Sequence, residues 1–305
     1  MEGLYKELGE EIGRRAGGPA AGDIAETLNT IGADLYEKLF PDELREIWEE
    51  RIRGNVRSIM IISDEPWIPW EMVKPSYEAD AGDYVEDAFL CETYLLTRWI
   101  GGSPPPSAIK VSRGALIAPG GSNLPNVARE VEFMTAGDLG DVQSIIPRLN
   151  AVRAMLGSGG YELIHFAGHG QFDRDTHEQS TLFLERGDEF KARDIAGRRK
   201  TFGKDRPFVF INACQTARAD LSLVGIGSWA DKFINAKASV FLGSAWQVND
   251  LLAYDFSKAF YGALLEGKPV GEALKLARLE IKEETNPTWL AYTMYADPLA
   301  TVSFA

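Results

Sequence analysis

The sequence has few of the residues on which a disulfide scaffold depends, and it has no long apolar run. Among its 305 residues there are only 2 cysteines, Cys91 and Cys214. A small secreted domain held by disulfides needs more than this. No apolar run approaches the length of a membrane span, and the charged N-terminal residues are unlike a signal peptide. These absences predict a soluble protein of the reducing cytoplasm with no membrane segment.

Basic residues are also scarce relative to acidic ones. The chain carries 32 Lys and Arg against 45 Asp and Glu, which gives a formal net charge of −13. Such a surface repels phosphate backbones and anionic membranes and attracts basic peptides. Direct nucleic-acid binding is therefore disfavoured, and a protein or peptide partner is favoured.

Strand and helix patterns alternate along most of the chain. Apolar runs predict strands at 58–62, 92–100, 115–118, 141–146, 161–167, 208–213 and, as the last one, 239–243. Amphipathic stripes predict helices around 127–134, 149–156, 256–264 and 270–281. Because parallel strands that are buried on both faces carry continuous apolar runs, this order predicts an α/β sandwich of three layers. A mostly parallel central sheet would have helices on both faces.

The segment Gly101-Gly-Ser-Pro-Pro-Pro106 is the best candidate for a boundary within the chain. It separates an N-terminal helical and β region, residues 1–106, from a second part, residues 107–305. The N-terminal region contains an apolar strand at 58–62 and a helix around Leu44–Trp48. Both are too apolar to stand exposed, so we expect this region to pack on the second part.

Two of the predicted strands end in residues that can perform chemistry. One runs into His165-Phe-Ala-Gly-His-Gly170, and the other into Asn212-Ala-Cys-Gln-Thr-Ala217. Functional groups of open α/β sheets gather at the carboxyl ends of the strands, and neighbouring strands lie roughly 5 Å apart. The two ends can therefore face each other across a cleft. A thiol beside an imidazole is typical of nucleophilic catalysis, with Cys214 as the nucleophile and His169 as its acid/base partner.

A zinc site is the competing interpretation of His165 and His169. On an extended strand their Cα atoms would lie roughly 13 Å apart, too far to share a metal. We interpret His165 as a hydrogen-bonded core residue, His177 as a solvated one and Cys91 as structural. No phosphate-binding loop and no Gly-x-Ser-x-Gly motif is present, so the sequence predicts neither a metal nor a cofactor.

The combination of the two strand-end motifs resembles the CHAT family of caspase-related peptidases, in which a His-Gly and an Asn-Ala-Cys form a dyad. The likeness covers roughly residues 30–305. Supporting segments are the loop Asp64–Glu71, the stretch Gly243–Asp250, and the pairs Asn286-Pro287 and Asp297-Pro298. The resemblance implies a caspase–hemoglobinase fold and hydrolysis of peptide bonds. It also implies control by a regulatory protein partner or by a fused repeat or sensor domain.

Further site residues follow from the chemistry of such a dyad. Gly170 has no Cβ, so its N–H can approach an oxyanion closely, alongside the N–H of Cys214. Asp250 has two interpretations that stay open: it is the N-cap of the helix that begins near Leu251, or it binds a basic P1 side chain in the S1 pocket. Trp246 would line or flank that pocket.

The sequence therefore predicts a cysteine endopeptidase that cleaves a protein substrate after a basic residue. Asp220, which follows the nucleophile closely, is the fallback residue for the S1 pocket. The alternative hypothesis belongs to a different functional class. In it, the chain is a catalytically idle caspase-like domain that is used for protein–protein docking. The presence of Cys214, His169 and Gly170 favours the enzyme.

Overall fold

Strands and helices alternate through the part of the chain that a computed structural model describes, residues 22–63, 68–78, 83–121, 124–171, 180–215, 225–246, 248–283 and 286–305. The strands are β1 (Ser58–Ile62), β2 (Ser76–Glu78), β3 (Tyr84–Glu86), β4 (Leu95–Trp99), β5 (Ala108–Val111), β6 (Arg113–Ile117), β7 (Asp141–Ser144), β8 (Leu163–Gln171), β9 (Thr181–Phe183), β10 (Glu189–Lys191), β11 (Phe208–Gln215), β12 (Val240–Ser244), β13 (Tyr292–Tyr295) and β14 (Thr301–Phe304). The α-helices are α1 (Gly22–Leu39), α2 (Asp42–Ile47), α3 (Leu90–Thr93), α4 (Pro125–Met134), α5 (Leu149–Ser158), α6 (Arg199–Asp205), α7 (Gly225–Asn235), α8 (Asp250–Leu265), α9 (Val270–Glu280) and α10 (Thr288–Ala291).

One large sheet organises these elements. Its strand order is β1-β4-β13-β12-β11-β8-β6-β7. All neighbours along this order are parallel except β12 and β13, which are antiparallel. The hairpin of β9 and β10 extends the sheet beyond the end of β8. The strands β12, β11, β8, β6 and β7 therefore share one direction, and their carboxyl ends meet at one edge.

Helices cover both faces of this sheet, because alternate strand residues point to opposite sides. On one face, Phe210 of β11 packs edge-on against Phe256 of α8, and α4 and α9 pack beside α8. On the other face, Phe241 of β12 stacks on Phe233 of α7. Phe233 in turn stacks on Phe202 of α6. The predicted three-layer α/β sandwich with a mostly parallel sheet is confirmed.

Two details of the predicted strands are wrong. The run 92–100 is not one strand, since the short helix α3 ends at Thr93 before β4 begins at Leu95. The strand at 239–243 is not the last, because β13 and β14 follow it. All four residues of β13 are buried, and β13 comes directly after the one-turn helix α10. Its sequence therefore shows no alternation that would mark a strand.

Residues on both sides of the predicted boundary at residue 106 contribute to the large sheet. Arg98 of β4 is the Cα partner of Tyr295 in β13. Its Nε atom donates to Oε1 of the buried Glu71 at 3.1 Å, and Nη2 of the buried Arg278 in α9 lies 3.9 Å from the same oxygen. An ion cluster thus joins the N-terminal strands to the C-terminal helices. The division of the chain at residue 106 stays a prediction.

Across the described residues, no helix combines the length and the apolar character that a membrane span requires.

Candidate active site

His169 and Cys214 lie opposite each other on neighbouring strands. Strands β8 and β11 are parallel and paired in register from Leu163 and Phe208 onward, and this register makes His169 and Cys214 Cα partners. Both residues stand near the carboxyl ends of their strands. The sequence-based expectation that these two strands are neighbours is confirmed. The roles of the two residues in catalysis stay predictions.

The imidazole of His169 is half-buried and borders an open cleft. The cleft has a volume of about 330 Å³, and its walls come from the turn after β6 and from the segment that follows β9. Its lining residues are Pro119, Gly121, His169, Phe183, Leu184, Glu185 and Arg186. The Nδ1 atom of His169 is buried and has no hydrogen-bond partner among the described residues. No side chain in this part of the chain therefore orients the ring through Nδ1.

Gly170 occupies a crowded position inside the sheet. It is the Cα partner of Gln215 in β11 and of Leu182 in β9. A Cβ atom at residue 170 would lie 3.1 Å from Cδ2 of Leu182 and 3.2 Å from Cβ of Ala213. Packing between two strands thus already favours glycine here. The role of its N–H as an oxyanion donor stays a prediction.

His165 is a core residue, as the sequence predicts. Its side chain is 0% exposed. Its Nδ1 atom lies 3.0 Å from the hydroxyl of Tyr261 in α8, and its Nε2 atom lies 3.0 Å from Oε1 of Glu130 in α4. Burial, followed by the negative charge of Glu130, raises the pKa of Tyr261 well above its ordinary value. The phenol therefore keeps its proton and can donate it to Nδ1 of His165, while the Nε2–H donates to the carboxylate.

Glu130 connects the two strands that carry His169 and Cys214. Its carboxylate is 3% exposed and also accepts a hydrogen bond at 2.8 Å from Nδ2 of Asn212 in β11. The Oδ1 atom of Asn212 accepts one at 3.0 Å from the hydroxyl of Tyr292. Sequence reasoning missed Glu130. The available signal was its spacing, three residues after Val127 and four before Met134, which places it on the buried face of α4.

Asp250 is the first residue of α8 but not its N-cap. The side chain of Asn249 caps the helix, accepting hydrogen bonds from the backbone N–H groups of Leu251 and Leu252. The N-cap interpretation of Asp250 is therefore wrong by one residue. Its Oδ2 atom instead accepts from the backbone N of Asn126 at 3.1 Å and from Nδ2 of Asn126 at 2.6 Å. This contact holds the start of α4 against the start of α8.

Of the two other residues predicted for the S1 pocket, Trp246 and Asp220, the structure describes only Trp246. Trp246 lies just after the carboxyl end of β12 and is buried, and its Nε1 atom has no partner within the described residues. Asp220 and His177 lie outside the described residues, as does the first half of the loop Asp64–Glu71.

Cys91 lies apart from this site, in the core beside α9. Burial raises the pKa of its thiol to about 12. At neutral pH it is therefore a protonated, inert thiol, in agreement with its predicted structural role.

Within the described ranges, no group of three or more His, Cys, Asp or Glu side chains is placed to hold a metal ion.

Several solved structures share this fold. The Arg-specific cysteine proteinase gingipain R superposes with a TM-score of 0.55 at 13% identity, covering 99% of this chain and 76% of its own. A complex of the pro- and mature domains of Porphyromonas gingivalis RgpB gives a TM-score of 0.51 at 11% identity, covering 97% and 77%. Separase, from the Saccharomyces cerevisiae separase–securin complex, gives 0.49 at 15% identity and covers 82% of this chain. This chain spans only 16% of the length of that separase chain.

Sequence comparison assigns the family. No curated protein matches the chain. The family model of the CHAT domain matches residues 31–299, which is most of the 305-residue sequence. This range includes both strand-end motifs and every strand of the large sheet. The chain therefore belongs to the CHAT domain family.

Proposed function

We propose that the chain is a cysteine endopeptidase in which Cys214 is the nucleophile and His169 is the general acid and base. The observation that carries this proposal is the pairing of these two residues as Cα partners near the carboxyl ends of adjacent parallel strands. The open cleft beside the His169 ring supports it, since a substrate needs access to that ring. The fold shared with gingipain R supports the reaction class.

In the first half of the reaction, the sulfur of Cys214 attacks the carbonyl carbon of the scissile peptide bond, and His169 takes the thiol proton. A tetrahedral intermediate forms, with the negative charge on the former carbonyl oxygen. The backbone N–H groups of Gly170 and Cys214 are the proposed donors to this oxyanion. The C–N bond then breaks, and His169 gives its proton to the leaving amine.

In the second half, water hydrolyses the thioester that joins the substrate to Cys214. His169 now acts as the base and takes a proton from the attacking water. The second tetrahedral intermediate collapses with breakage of the C–S bond. The sulfur leaves as a thiolate and takes the proton from His169, which regenerates the dyad and releases the carboxylic acid.

Cleavage of a diverse peptide library, followed by mass spectrometry of the new termini, tests this activity. We expect cleavage by the unchanged chain and by Cys91→Ala, and none by Cys214→Ala or His169→Ala. Circular dichroism checks that all four proteins are folded. If the folded Cys214→Ala variant cleaves as well as the unchanged chain, the proposed nucleophile is wrong. A chain that cleaves nothing but binds a protein partner would be the idle docking module.

The proposed specificity is cleavage after Arg or Lys. The net charge of −13 favours basic substrates. Asp250 lies close after the carboxyl end of β12, and Trp246 lies between them along the chain. Gingipain R, which shares this fold, is an Arg-specific cysteine proteinase. A carboxylate in a partly dry pocket binds a guanidinium strongly and repels an acidic side chain. Asp220 stays the alternative carboxylate.

The contact between Asp250 and Asn126 provides a matched control for this specificity. Asp250→Ala removes the carboxylate and both hydrogen bonds between α8 and α4. Asn126→Ala removes only the hydrogen bond from Nδ2 and keeps the carboxylate and the bond from the backbone N–H. If Asp250 binds the P1 side chain, Asp250→Ala lowers kcat/KM for Arg substrates at least about tenfold, and Asn126→Ala does not change the P1 preference. Equal effects of the two variants would show a purely structural role for Asp250. An apolar or acidic P1 preference in the unchanged chain would contradict the basic specificity.

We also propose that the substrate is a cytoplasmic protein and that a regulatory partner or a fused sensor domain switches the chain from a low basal rate of cleavage to its full rate. The complex of RgpB pro- and mature domains is a case in which a peptidase of this fold binds a further domain. The Cys214→Ala variant, immobilised as a substrate trap, should retain the substrate and the regulator from a cell extract. A chain that cleaves its substrate at full rate when purified alone would contradict the requirement for a regulator.

A further inference from the structure

A second cleft lies at the opposite edge of the large sheet from His169. It is bordered by residues just before β6, β8, β11 and β12, and so it sits at the amino ends of these strands. Its volume is about 380 Å³, the size of a small-molecule site. The lining residues are Pro106, Ala108, Ile109, Lys110, Ser112, Glu162, Lys204, Asp205, Arg206 and Ser239.

The two carboxylates of this cleft are already hydrogen-bonded to the backbone. The Oε2 atom of Glu162 accepts from the N–H groups of Ser112 at 3.2 Å and of Arg113 at 2.9 Å. The Oδ2 atom of Asp205 accepts from the N–H of Gly160 at 2.6 Å. Each carboxylate therefore uses one oxygen atom to hold the turn that precedes a strand, which is β6 for Glu162 and β8 for Asp205.

The three cationic side chains of the cleft, in contrast, make no hydrogen bond or ion pair with the described residues. They belong to Lys110, Lys204 and Arg206, and all three are exposed. Three positive side chains thus line one concavity together with two carboxylates, which leaves the concavity a net charge of +1 in a chain whose net charge is −13. Concave walls strengthen the local field of such a group.

Arg206 occupies a backbone conformation that arginine adopts at a cost. It ends helix α6 in the left-handed region, with φ 47° and ψ 57°, where glycine is the usual residue. Its N–H closes the helix by donating to the carbonyl of Phe202 at 2.7 Å. Glycine would perform this backbone task with less strain, and the arginine in its place brings a guanidinium to the lining of the cleft.

We propose that this cleft binds a small, multiply charged anion whose charged groups are phosphates or carboxylates. Lys110, Lys204 and Arg206 supply the positive charge. The volume of the cleft, about 380 Å³, suits a small molecule, and the strongly acidic remainder of the protein disfavours a nucleic-acid strand. The site is separate from the proposed peptidase site, and its binding is measured without any substrate.

Isothermal titration calorimetry of the full chain with inorganic pyrophosphate and with citrate, at constant ionic strength, tests the proposal. We expect saturable 1:1 binding of at least one of the two, and their ratio of affinities tells a phosphate site from a carboxylate site. Combining Lys110→Gln, Lys204→Gln and Arg206→Gln should weaken binding at least about tenfold. A control with the same change of charge at exposed cations elsewhere, Arg51→Gln, Arg193→Gln and Lys258→Gln, should change it less than about twofold.

A single variant separates binding from stability. Arg206→Gly relieves the left-handed arginine, so it should not lower the Tm of the free protein. It should nevertheless weaken anion binding by about threefold or more. The proposal is overturned if neither anion binds saturably, if the two triple variants lose affinity equally, or if Arg206→Gly binds as tightly as the unchanged chain.

Discussion

The Nε2 atom of His165 lies 3.0 Å from Oε1 of Glu130, so helix α4 is tied to the strand that ends near His169. Asn212, on the strand that continues to Cys214, donates to the same oxygen at 2.8 Å. One buried carboxylate therefore links both strands on which the proposed dyad stands. This link fixes the relative position of β8 and β11 from the side of the helical layer.

Replacing Glu130 by Ala should destabilise the fold strongly. The change leaves N–H groups of His165 and Asn212 buried without that acceptor, which costs about 3 kcal/mol or more in the free energy of unfolding. Urea unfolding followed by tryptophan fluorescence measures this. The control is Glu132→Ala on the same helix, where the side chain is exposed and the expected change is within about 0.5 kcal/mol. Similar small effects of both variants would show that the network contributes little.

Cys91 should make the stability of the fold depend on alkaline pH. Burial raises its thiol pKa from the ordinary value of 9.0 to about 12, so between these pH values the unfolded chain loses this proton and the folded chain keeps it. The contribution of Cys91 is therefore complete below pH 9 and falls as the pH rises toward 12, by a few kcal/mol in all. The measurement is chemical unfolding at pH 8, 9 and 10 of the unchanged chain and of Cys91→Ala. The variant should show the shallower decline with pH, and parallel curves would contradict the prediction.

A chain that begins at Ile109 should aggregate or lose cooperative unfolding. It lacks β1 and β4, so one edge of the buried strand β13 is left unpaired, and exposed edges of this kind promote association. Arg278 would also lose its contact with Glu71. Size-exclusion chromatography and thermal unfolding measure the outcome. If the shortened chain is monomeric and unfolds cooperatively, the region before residue 106 is a detachable module.

The parts of this fold that sequence patterns predict are those in which local pattern and burial agree. Strand β1 has the predicted bounds, Ser58–Ile62, and the strands before His169 and Cys214 lie where their apolar runs predict. Helix α6 was missed, because its sequence carries charges at four of its seven positions and Gly203 interrupts it. Its burial depends on Phe202 stacking on Phe233, a contact between distant parts of the chain. The pattern of a few neighbouring residues does not reveal contacts between residues that are far apart in the sequence.

For the candidate site, the motifs predict which two strands end together but not what supports them. Cys214 and His169 are visible because a thiol and an imidazole each follow an apolar run. Glu130 is hard to predict as a buried residue, because a charged side chain usually indicates an exposed position. The engagement of Asp250 with Asn126 is equally invisible, since the two residues are joined only by the packing of α8 against α4.

The dyad is the central claim, and covalent labelling tests it most directly. A peptidyl acyloxymethyl ketone with Arg at P1 should modify the folded chain once, at Cys214, while Cys91 stays unmodified. Mass spectrometry of tryptic peptides measures where the label is attached. His169→Ala should slow this labelling by about 100-fold or more, because the thiol loses its base, and Cys91→Ala should leave the rate unchanged. A folded chain in which Cys214 is not labelled, or is labelled equally fast with and without His169, would contradict the account.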